Sequence, residues 1–472
     1  MQSGREKLEI RDICVDLDGT LIASDTLWEN FAKSLRVAPL RTLGKLGALF
    51  TGRAHFKAAL ASVSQIDSSL LPFRVALTET LKNAKAGGAR IWLVTAAHQT
   101  VADAVANTLG LFDGVYGSEG GRNLKGTAKA EFLVEKFGSG RFVYMGDSRS
   151  DFPVWRECGD AWVVGAQLGR RVERLINRPV KVIPLPGTRW THWLRLLRVH
   201  QWSKNLLVFA PMLAGHRFLD WSAWVGALIC FGCFSLAASS TYIVNDFLDM
   251  ESDRKHPTKR NRAFAEGTIS IPAGLAVAIG MMVVAGVGSL MVEGLSVVVL
   301  GYLVCTWLYS GALKTIALVD VFVLSLLYTS RVIGGGIATD TVPSPWLLAF
   351  CTFQFLGLAF LKRFTEFARN PDASFRGYHP GDSNVILSLG TAASFCAALV
   401  LSLWVNSETA LRGYSRPLFL WAAVPVVLLW NARAWMLANR GRVHDDPIVF
   451  AIRDRGSAVL AAIAAALFAI SL

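Results

Sequence analysis

The feature that most constrains the fold of this chain is a series of long apolar stretches in its C-terminal half. From about residue 205 onward, runs of roughly 18–22 apolar residues recur, the length that a helix needs to cross a bilayer core. Residues 1–190 instead mix charged and apolar residues as soluble α/β domains do. The sequence therefore predicts a water-soluble N-terminal domain followed by an all-α membrane domain.

The apolar stretches predict a multi-pass membrane protein with about nine spans. They lie at 205–214, 222–247, 272–291, 295–312, 317–338, 346–361, 385–405, 416–434 and 456–472. If the N-terminal domain is cytoplasmic, fifteen Lys and Arg residues fall in loops on its side of the membrane and three in the opposite loops. This bias, together with the absence of an apolar signal-peptide core at the start, predicts a plasma (inner) membrane protein with a cytoplasmic N-terminal domain.

The charge and cysteine content narrow the classes of partner. A net charge of +13 is compatible with nucleic-acid binding, but in a membrane protein it is more typical of cytoplasmic loops that contact anionic lipids or phosphates. We therefore expect anionic membrane lipids and no nucleic acid among the partners, and the sequence leaves homo-oligomerisation open. The pair Cys230 and Cys233 lies inside an apolar run, which favours membrane packing over a redox or metal pair.

A strongly charged segment, NDFLDMESDRKHPTKRNR, occupies residues 245–262 at the end of the second span. If that helix continues to Asp253, Asn245, Asp246, Asp249 and Asp253 lie within about 100° of one another on one helix face. Carboxylates so close together repel one another unless a cation bridges them, and their oxygens suit Mg²⁺ bound with a substrate diphosphate. A solvated interfacial loop with internal ion pairs is the alternative.

The stretch NDFLDMESD fits the signature NDxxDxxxD and resembles the UbiA superfamily of intramembrane prenyltransferases, over residues 190–472. The resemblance implies a helical bundle in which Asn245 binds substrate, Asp246 and Asp249 act in catalysis, and these two aspartates with Asp253 hold Mg²⁺. The stretches 197–211, 253–262 and 309–320 further resemble the decaprenyl-phosphate phosphoribosyltransferases of this superfamily. That resemblance implies transfer of 5-phosphoribose from phosphoribosyl diphosphate (PRPP) to a polyprenyl phosphate.

Such polyanionic substrates require fixed cations and hydrogen-bond donors near the cytoplasmic helix ends. The expected binding residues are Lys204, Asn205, Lys259, Arg260, Arg262, Tyr309, Lys314, Lys362, Arg363 and Glu366. Any single cation among them could instead contact a lipid headgroup. Two other functions stay open: isoprenoid transfer to an aromatic or quinone precursor, for which LKRFTEF (361–367) lacks the usual second acidic motif, and non-catalytic lipid transport.

Four segments of the N-terminal domain end or begin with side chains suited to phosphoryl chemistry. ICVDLDGTL (13–21), IWLVT (91–95) and FVYMGDSRSD (142–151) are apolar strands followed by polar side chains, and KGTAKAEFL (125–133) opens a helix. The carboxyl ends of parallel strands are where α/β sheets form their sites.

In type, order and spacing these segments resemble the haloacid dehalogenase (HAD) superfamily. The resemblance implies an α/β Rossmann-like phosphatase over residues 1–180, with a small helical cap at about 25–85 and a linker with an interfacial helix at 181–200 before the membrane domain at 201–472. It implies Asp16 as nucleophile, Asp18 as general acid/base and Thr95 as phosphoryl ligand. Lys129 is the first choice for the catalytic lysine and Lys125 the second. The expected Mg²⁺ ligands are Asp16, Asp18, Asp147 and Asp151. The phosphatase would remove the 5-phosphate of the lipid product, and a degenerate, regulatory domain is the alternative.

Two more charged clusters, RGYHPGDSN (376–384) and HDDPIVFAIRDR (444–455), contain candidate metal ligands. His379 with Asp382, or Asp445 with Asp446, could bind a metal. Because nothing in the sequence constrains their geometry, we expect solvated loops or helix caps at both places.

Overall fold

The computed structural model describes residues 12–119, 122–185, 187–369, 376–443 and 447–472. The chain divides into two compact units. The first unit contains the residues up to Leu197 together with Ile243–Val277, and the second contains Arg198–Tyr242 and Ala278–Leu472. The charged segment 245–262 therefore belongs to the same unit as the N-terminal domain.

A six-stranded parallel sheet forms the centre of the first unit. Its strands are β1 (Asp12–Val15), β2 (Arg90–His98), β3 (Gly114–Ser118), β4 (Phe142–Gly146), β5 (Asp160–Val164) and β6 (Lys181–Ile183), in the order β3-β2-β1-β4-β5-β6. The strand order reverses at β1, and open parallel sheets bind ligands at the carboxyl ends of the strands at such a point. Two details differ from the sequence expectation: β2 runs three residues past Thr95, and β6 lies in the expected linker.

Helices cover the sheet and form the cap. They are α1 (Thr26–Val37), α2 (Pro39–Gly44), α3 (Ala48–Thr51), α4 (Arg53–Ala61), α5 (Val75–Ala86), α6 (Gln99–Leu109), α7 (Thr127–Phe137), α8 (Phe152–Glu157), α9 (Ala166–Ile176) and α10 (Trp190–Leu197). The helical insertion after β1 ends with α4, earlier than the predicted residue 85. Helix α5 instead packs on the sheet, because Leu77 and Leu81 lie in the same apolar core as the side chains of β1 and β2.

The remaining helices are α11 (Ala210–Ala214), α12 (Trp221–Leu248), α13 (Met250–Lys255), α14 (Ala263–Glu266), α15 (Ile271–Ser289), α16 (Leu295–Gly311), α17 (Val319–Ala338), α18 (Pro345–Arg369), α19 (Ser383–Val405), α20 (Glu408–Gly413), α21 (Leu418–Asn439), α22 (Pro447–Arg453) and α23 (Arg455–Ser471). Six of the described helices are long and apolar enough to cross a membrane, and α16 and α23 are shorter apolar helices. Eight of the nine predicted spans thus lie on apolar helices.

The first predicted span, 205–214, is not an α-helix along its whole length. Val199–Phe209 form an 11-residue 3₁₀ segment that continues into the five-residue α11. Because a 3₁₀ helix rises about 2.0 Å per residue, residues 199–214 extend over about 30 Å, close to the thickness of a bilayer core. Gly335 on α17 fixes this segment, since a Cβ there would lie 2.0 Å from the carbonyl oxygen of Val208.

The helix that was expected to continue to Asp253 is interrupted. Helix α12 ends at Leu248 and α13 begins at Met250, with Asp249 between them at φ −95° and ψ 4°. Helical hydrogen bonds persist across the break, because the Asp249 N–H donates to the Asn245 carbonyl at 2.9 Å. The interruption changes the direction of the Asp249 side chain relative to its neighbours.

Candidate active sites

Three carboxylates meet at the carboxyl ends of β1 and β4. Among the described residues, Asp16, Asp147 and Asp151 are the one group of three or more potential metal ligands whose atoms lie within 4.8 Å of one another. Hard carboxylate oxygens in this number suit Mg²⁺. The site also needs a glycine: Gly19 has a φ of +74°, and a Cβ there would lie 2.1 Å from Asp147 Oδ2. Asp18 does not belong to this group of ligands.

Lys129 supplies the cation of this cluster. Its Nζ lies 2.9 Å from Asp16 Oδ1 and donates to the Tyr144 hydroxyl at 3.0 Å. The Tyr144 hydroxyl donates in turn to Asp151 Oδ1 at 2.9 Å. Burial works against the Lys129 ammonium, but the charges of Asp16 and Asp151 outweigh it and raise the pKa of Lys129. Lys125 is exposed, so the structure places Lys129 and not Lys125 at Asp16.

Burial gives the carboxyl groups of this site unusual acidities. Burial, followed by the charge of Asp25, raises the pKa of Asp18 to about 7. Burial, followed by the charges of Asp16 and Asp151, raises the pKa of Asp147 to about 7. A carboxyl group with a pKa near 7 is suited to general acid/base work at neutral pH. The Thr26 N–H donates to Asp18 Oδ1 at 2.8 Å and orients it.

The structure adds supporting residues that the sequence interpretation did not name. Arg74 donates to the Gly19 carbonyl at 3.1 Å, and Thr20 donates to Asp147 Oδ1 at 3.0 Å. Thr95 is fully buried on β2, where its hydroxyl accepts a hydrogen bond from the Ala97 N–H at 3.0 Å. Tyr144 could have been suspected, because a tyrosine two residues before a glycine in an otherwise apolar strand has a hydroxyl that needs a partner.

The acidic segment after α12 is neutralised by arginines. The Arg262 Nη1 lies 3.1 Å from Asp246 Oδ1 and 2.7 Å from Asp253 Oδ2, and both carboxylates are buried. Asp249 is half-buried and pairs with Arg36 at 3.1 Å. The three aspartates therefore do not share one cluster: two converge on Arg262 and the third faces another cation. Asn245 is half-buried, whereas Lys259 and Arg260 are exposed.

Three of the predicted binding residues in the second unit meet in a buried charge network. Arg363 is fully buried, ion-pairs with Asp320 and with Glu366, the latter at 2.6 Å, and donates to the Tyr309 hydroxyl at 3.0 Å. Tyr378 donates to the other oxygen of Asp320 at 2.6 Å. The sequence predicted Arg363 at a cytoplasmic helix end, beyond the span 346–361. In the structure α18 continues past this residue, and its buried side chain pairs with two carboxylates.

Four other predicted residues lie in the second unit. Lys204 and Asn205 are buried on the 3₁₀ segment. The Asn205 amide donates to Ser235 Oγ at 2.9 Å and accepts from Arg331 at 2.7 Å, so it fixes the 3₁₀ segment to α12 and α17. Lys314 and Lys362 are half-buried.

The weaker candidate metal residues behave as caps where the structure describes them. Asp382 accepts a hydrogen bond from the His379 N–H at 2.8 Å and forms a capping box at the turn before α19. Asp445 and Asp446 lie outside the described residues. Cys230 and Cys233 are unbonded and pack in the apolar core of the second unit.

Comparison with known proteins identifies the two parts of the chain. The model of the UbiA prenyltransferase family matches residues 206–455, and that of haloacid dehalogenase-like hydrolases matches residues 13–156. The chain belongs to the UbiA prenyltransferase family. This UbiA-family chain therefore combines a multi-pass membrane domain with an N-terminal HAD phosphatase domain.

Relatives of this UbiA-family chain include one that matches nearly its whole length. The uncharacterized protein y4nM of Sinorhizobium fredii is 37% identical over 98% of the chain and 90% of the relative. A decaprenyl-phosphate phosphoribosyltransferase of Mycobacterium tuberculosis is 32% identical over 57% of the chain and 89% of the relative. Among solved structures, a UbiA homolog from Archaeoglobus fulgidus bound to GPP and Mg²⁺ matches with a TM-score of 0.45 at 16% identity, over 59% of the chain and 99% of that structure.

Proposed function

We propose that this UbiA-family protein transfers 5-phosphoribose from PRPP to a polyprenyl phosphate at the plasma membrane, and that its cytoplasmic HAD domain removes the 5-phosphate of the lipid product. The observation that carries the proposal is the buried carboxylate pair Asp246 and Asp253, followed directly by a run of basic residues, in a chain 32% identical to a decaprenyl-phosphate phosphoribosyltransferase. Carboxylates next to fixed cations suit a substrate with a diphosphate and a separate phosphate.

In the proposed transfer step the bond between the ribose C1 and the diphosphate oxygen breaks, and a bond from C1 to an oxygen of the lipid phosphate forms. Diphosphate leaves with the electron pair of the broken bond. The lipid phosphate is already nucleophilic, so no general base is required, and catalysis consists of positioning and charge neutralisation. Asp246, Asp249 and Asp253 would hold Mg²⁺ once Asp249 turns from Arg36 toward the pair at Arg262, and the ion would neutralise the departing diphosphate.

The basic residues receive the remaining phosphates in this proposal. Lys259 and Arg260 are exposed and can reach a soluble anion, and Arg262 is already held beside Asp246 and Asp253. We assign the other candidates, Lys204, Asn205, Asn245, Tyr309, Lys314, Lys362, Arg363 and Glu366, to binding or to support of the binding residues. Arg363 and Glu366 would take the supporting role, because their charges are paired with each other.

In the proposed phosphatase step Asp16 attacks the 5-phosphate and the ribose 5-oxygen leaves, taking a proton from Asp18. Water then cleaves the aspartyl-phosphate, with Asp18 accepting its proton. Lys129 and Thr95 hold the transferring phosphoryl group, and Asp16, Asp147 and Asp151 would hold Mg²⁺, which would neutralise its charge.

The decisive experiment follows ribose label into lipid. Purified protein is incubated with ribose-labelled PRPP, Mg²⁺ and decaprenyl phosphate, and the lipid phase is compared between the parent, Asp246→Asn and Asp16→Asn. We expect label in the lipid with the parent, none with Asp246→Asn, and a more anionic labelled lipid with Asp16→Asn.

Three results would contradict the proposal. Isoprenoid transfer to 4-hydroxybenzoate without ribose transfer would favour an aromatic prenyltransferase. Lipid binding without any transfer would favour a transporter. An identical lipid product from the parent and Asp16→Asn would show that the HAD domain does not act on that lipid.

A further inference from the structure

One face of the cap helix α1 has three charged residues at helical spacing. Glu29, Lys33 and Arg36 lie four and three residues apart, so at 100° per residue they fall within about 60° of one another. Glu29 is buried and the other two are partly exposed. The pattern negative, positive, positive along one face is suited to pair with a complementary charged segment.

That complementary segment is the acidic motif itself. Glu29 Oε1 lies 2.6 Å from Arg254, Lys33 Nζ lies 2.9 Å from Glu251, and Arg36 Nη1 lies 3.1 Å from Asp249. The partners follow in reverse order along the chain, so α1 and residues 249–254 are antiparallel and form a ladder of three ion pairs. All six residues belong to the first unit.

The ladder is most completely buried at the end formed by Glu29 and Arg254. The Glu29–Arg254 pair is nearly completely buried, and Arg254 also donates to the Ala265 carbonyl at 2.9 Å. Phe247 packs between Trp28 and Phe31, with ring centroids 6.2 Å from each. This apolar contact and the buried pair fix the first half of α1 on the motif segment.

The end of the ladder formed by the pairs of Lys33 and Arg36 is more exposed. A cavity of about 370 Å³ lies beside the ladder and is lined by Ala32, Val37, Leu70, Leu248 and Met250 together with every ladder residue except Asp249. The buried Ser34 hydroxyl fixes the last turn of α1 to Ser64 at 2.8 Å, whereas its contacts to the motif segment are the partly exposed pairs of Lys33 and Arg36 and the bond from Arg36 to Ser252 at 2.9 Å. Exposed ion pairs contribute little to stability, so the pairs of Lys33 and Arg36 can rearrange at low cost.

The first turn of α1 is bound to the phosphatase site. The Thr26 N–H and hydroxyl donate to the two oxygens of Asp18 at 2.8 and 3.2 Å. Ser24, just before the helix, donates to Glu29 of the ladder. A single 12-residue helix therefore contacts the general acid/base of the HAD site at its start and a motif aspartate near its end.

We propose that α1 couples the two sites: diphosphate binding at the motif changes the activity of the phosphatase, and Arg36 is the positioning residue that senses it. Asp249 cannot keep its full interaction with Arg36 while it also binds a Mg²⁺–diphosphate, because the incoming cation competes for the same carboxylate. Binding therefore weakens the last rung of the ladder, or moves Arg36 onto the diphosphate, and shifts α1 at Asp18. By linkage, where diphosphate changes the affinity of the phosphatase site for its ligand, occupancy of that site changes the affinity of the motif for diphosphate by the same factor.

The coupling requires one part of the proposed function, namely that the motif binds a diphosphate. It is tested without PRPP or lipid, so a failure of ribose transfer leaves it standing. Full-length protein in detergent hydrolyses p-nitrophenyl phosphate in excess Mg²⁺ while Mg²⁺–diphosphate is titrated. We expect the diphosphate to change kcat/KM for the ester by at least about five-fold, the lower end of typical coupling factors.

Charge reversal distinguishes coupling from direct inhibition. Lys33→Glu and Glu251→Lys each place like charges opposite one another, and the double variant restores an ion pair. Each single variant and Arg36→Gln are expected to keep ester hydrolysis without diphosphate and to lose the response to diphosphate, and the double variant is expected to regain it. An unchanged response to diphosphate in Lys33→Glu, Glu251→Lys and Arg36→Gln would mean that diphosphate acts at the phosphatase site itself, and it would overturn the proposal. A double variant that responds no better than the two single variants would overturn it as well. Binding of diphosphate to each variant, measured by calorimetry, excludes loss of the motif as the cause.

Discussion

At the scale of single residues, Lys129 is a buried cation whose charge is stabilised by the carboxylates of the candidate phosphatase site. It is 2% exposed and touches Asp16 and Tyr144. We expect Lys129→Met to lower the kcat of p-nitrophenyl phosphate hydrolysis by about 10²–10³-fold, the usual loss when one preorganised donor is removed from an active site. Steady-state kinetics measure the loss, and Lys125→Met, exposed four residues earlier, is the matched control. Equal losses in the two variants would contradict the assignment.

Asp113 gives a stability effect whose pH dependence can be stated. The hydrogen bond from the Ile91 N–H at 2.7 Å, aided by Lys85 at 3.2 Å, lowers the pKa of Asp113 below its ordinary value of 3.8. Because the folded pKa is the lower one, the charge stabilises the fold above pH 3.8 and this stabilisation is lost as pH falls through the folded pKa. Asp113→Asn keeps the acceptor and removes only the charge.

The Asp113→Asn variant should therefore lose phosphatase activity at a lower temperature than the parent at pH 7. The difference should shrink when the heating step is carried out below pH 4. Residual p-nitrophenyl phosphate hydrolysis after heating at each pH, followed by assay at neutral pH, measures it. A difference that grows on acidification would contradict the assigned sign.

At the scale of elements, the pair of helices α17 and α18 is joined by a buried ion pair. Arg363 on α18 and Asp320 at the start of α17 are both fully buried. Removal of one partner leaves an uncompensated charge, which costs about 3–5 kcal/mol. We expect Arg363→Met to lower the thermal stability of the detergent-solubilised protein strongly, Lys362→Met to have little effect, and Asp320→Asn with Arg363→Met to recover part of the loss. A stable Arg363→Met protein would contradict this role.

The sequence predicts a residue's role well where a short motif around that residue indicates it, and poorly where the role depends on a partner far away in the chain. Asp16, Lys129 and Asp147 stand at strand ends or on a helix start, and the resemblance of these short segments to the HAD superfamily predicted that the three residues act in one site. Arg363 has one carboxylate partner three residues away, the half-buried Glu366, and a fully buried one, Asp320, 43 residues away. Only the distant partner distinguishes a buried, paired residue from a phosphate ligand, and no local pattern indicates it.

The break at Asp249 and the ladder with α1 escaped prediction for the same physical reason. The α1 partners of Asp249, Glu251 and Arg254 lie more than two hundred residues earlier in the chain, in a domain that the sequence treats as separate. Helical periodicity assumed a continuous helix with one shared face, whereas in the structure Asp246 and Asp253 converge on Arg262 and Asp249 pairs with Arg36 of α1.

At the scale of the whole molecule, the membrane topology depends on whether residues 199–214 cross the membrane. If residues 199–214 cross the membrane as a 3₁₀ segment followed by α11, nine crossings place Leu472 on the side opposite the N-terminal domain. If they do not cross, eight crossings return Leu472 to the same side. The length of about 30 Å and the 3₁₀ rise favour crossing. The excess of Lys and Arg in alternate loops also favours it, because with a cytoplasmic N-terminal domain we expect those loops to be cytoplasmic only if residues 199–214 cross.

Fusions at Leu472 test this topology directly. We expect an alkaline phosphatase fused after Leu472 to be active, because that enzyme folds only outside the reducing cytoplasm, and a cytoplasmic reporter at the same position to be inactive. A second pair of fusions at the N-terminus, which we expect to be cytoplasmic in either topology, should give the opposite pattern and is the internal control. An inactive alkaline phosphatase at Leu472 with a correct control pattern would mean that residues 199–214 enter the membrane without crossing it.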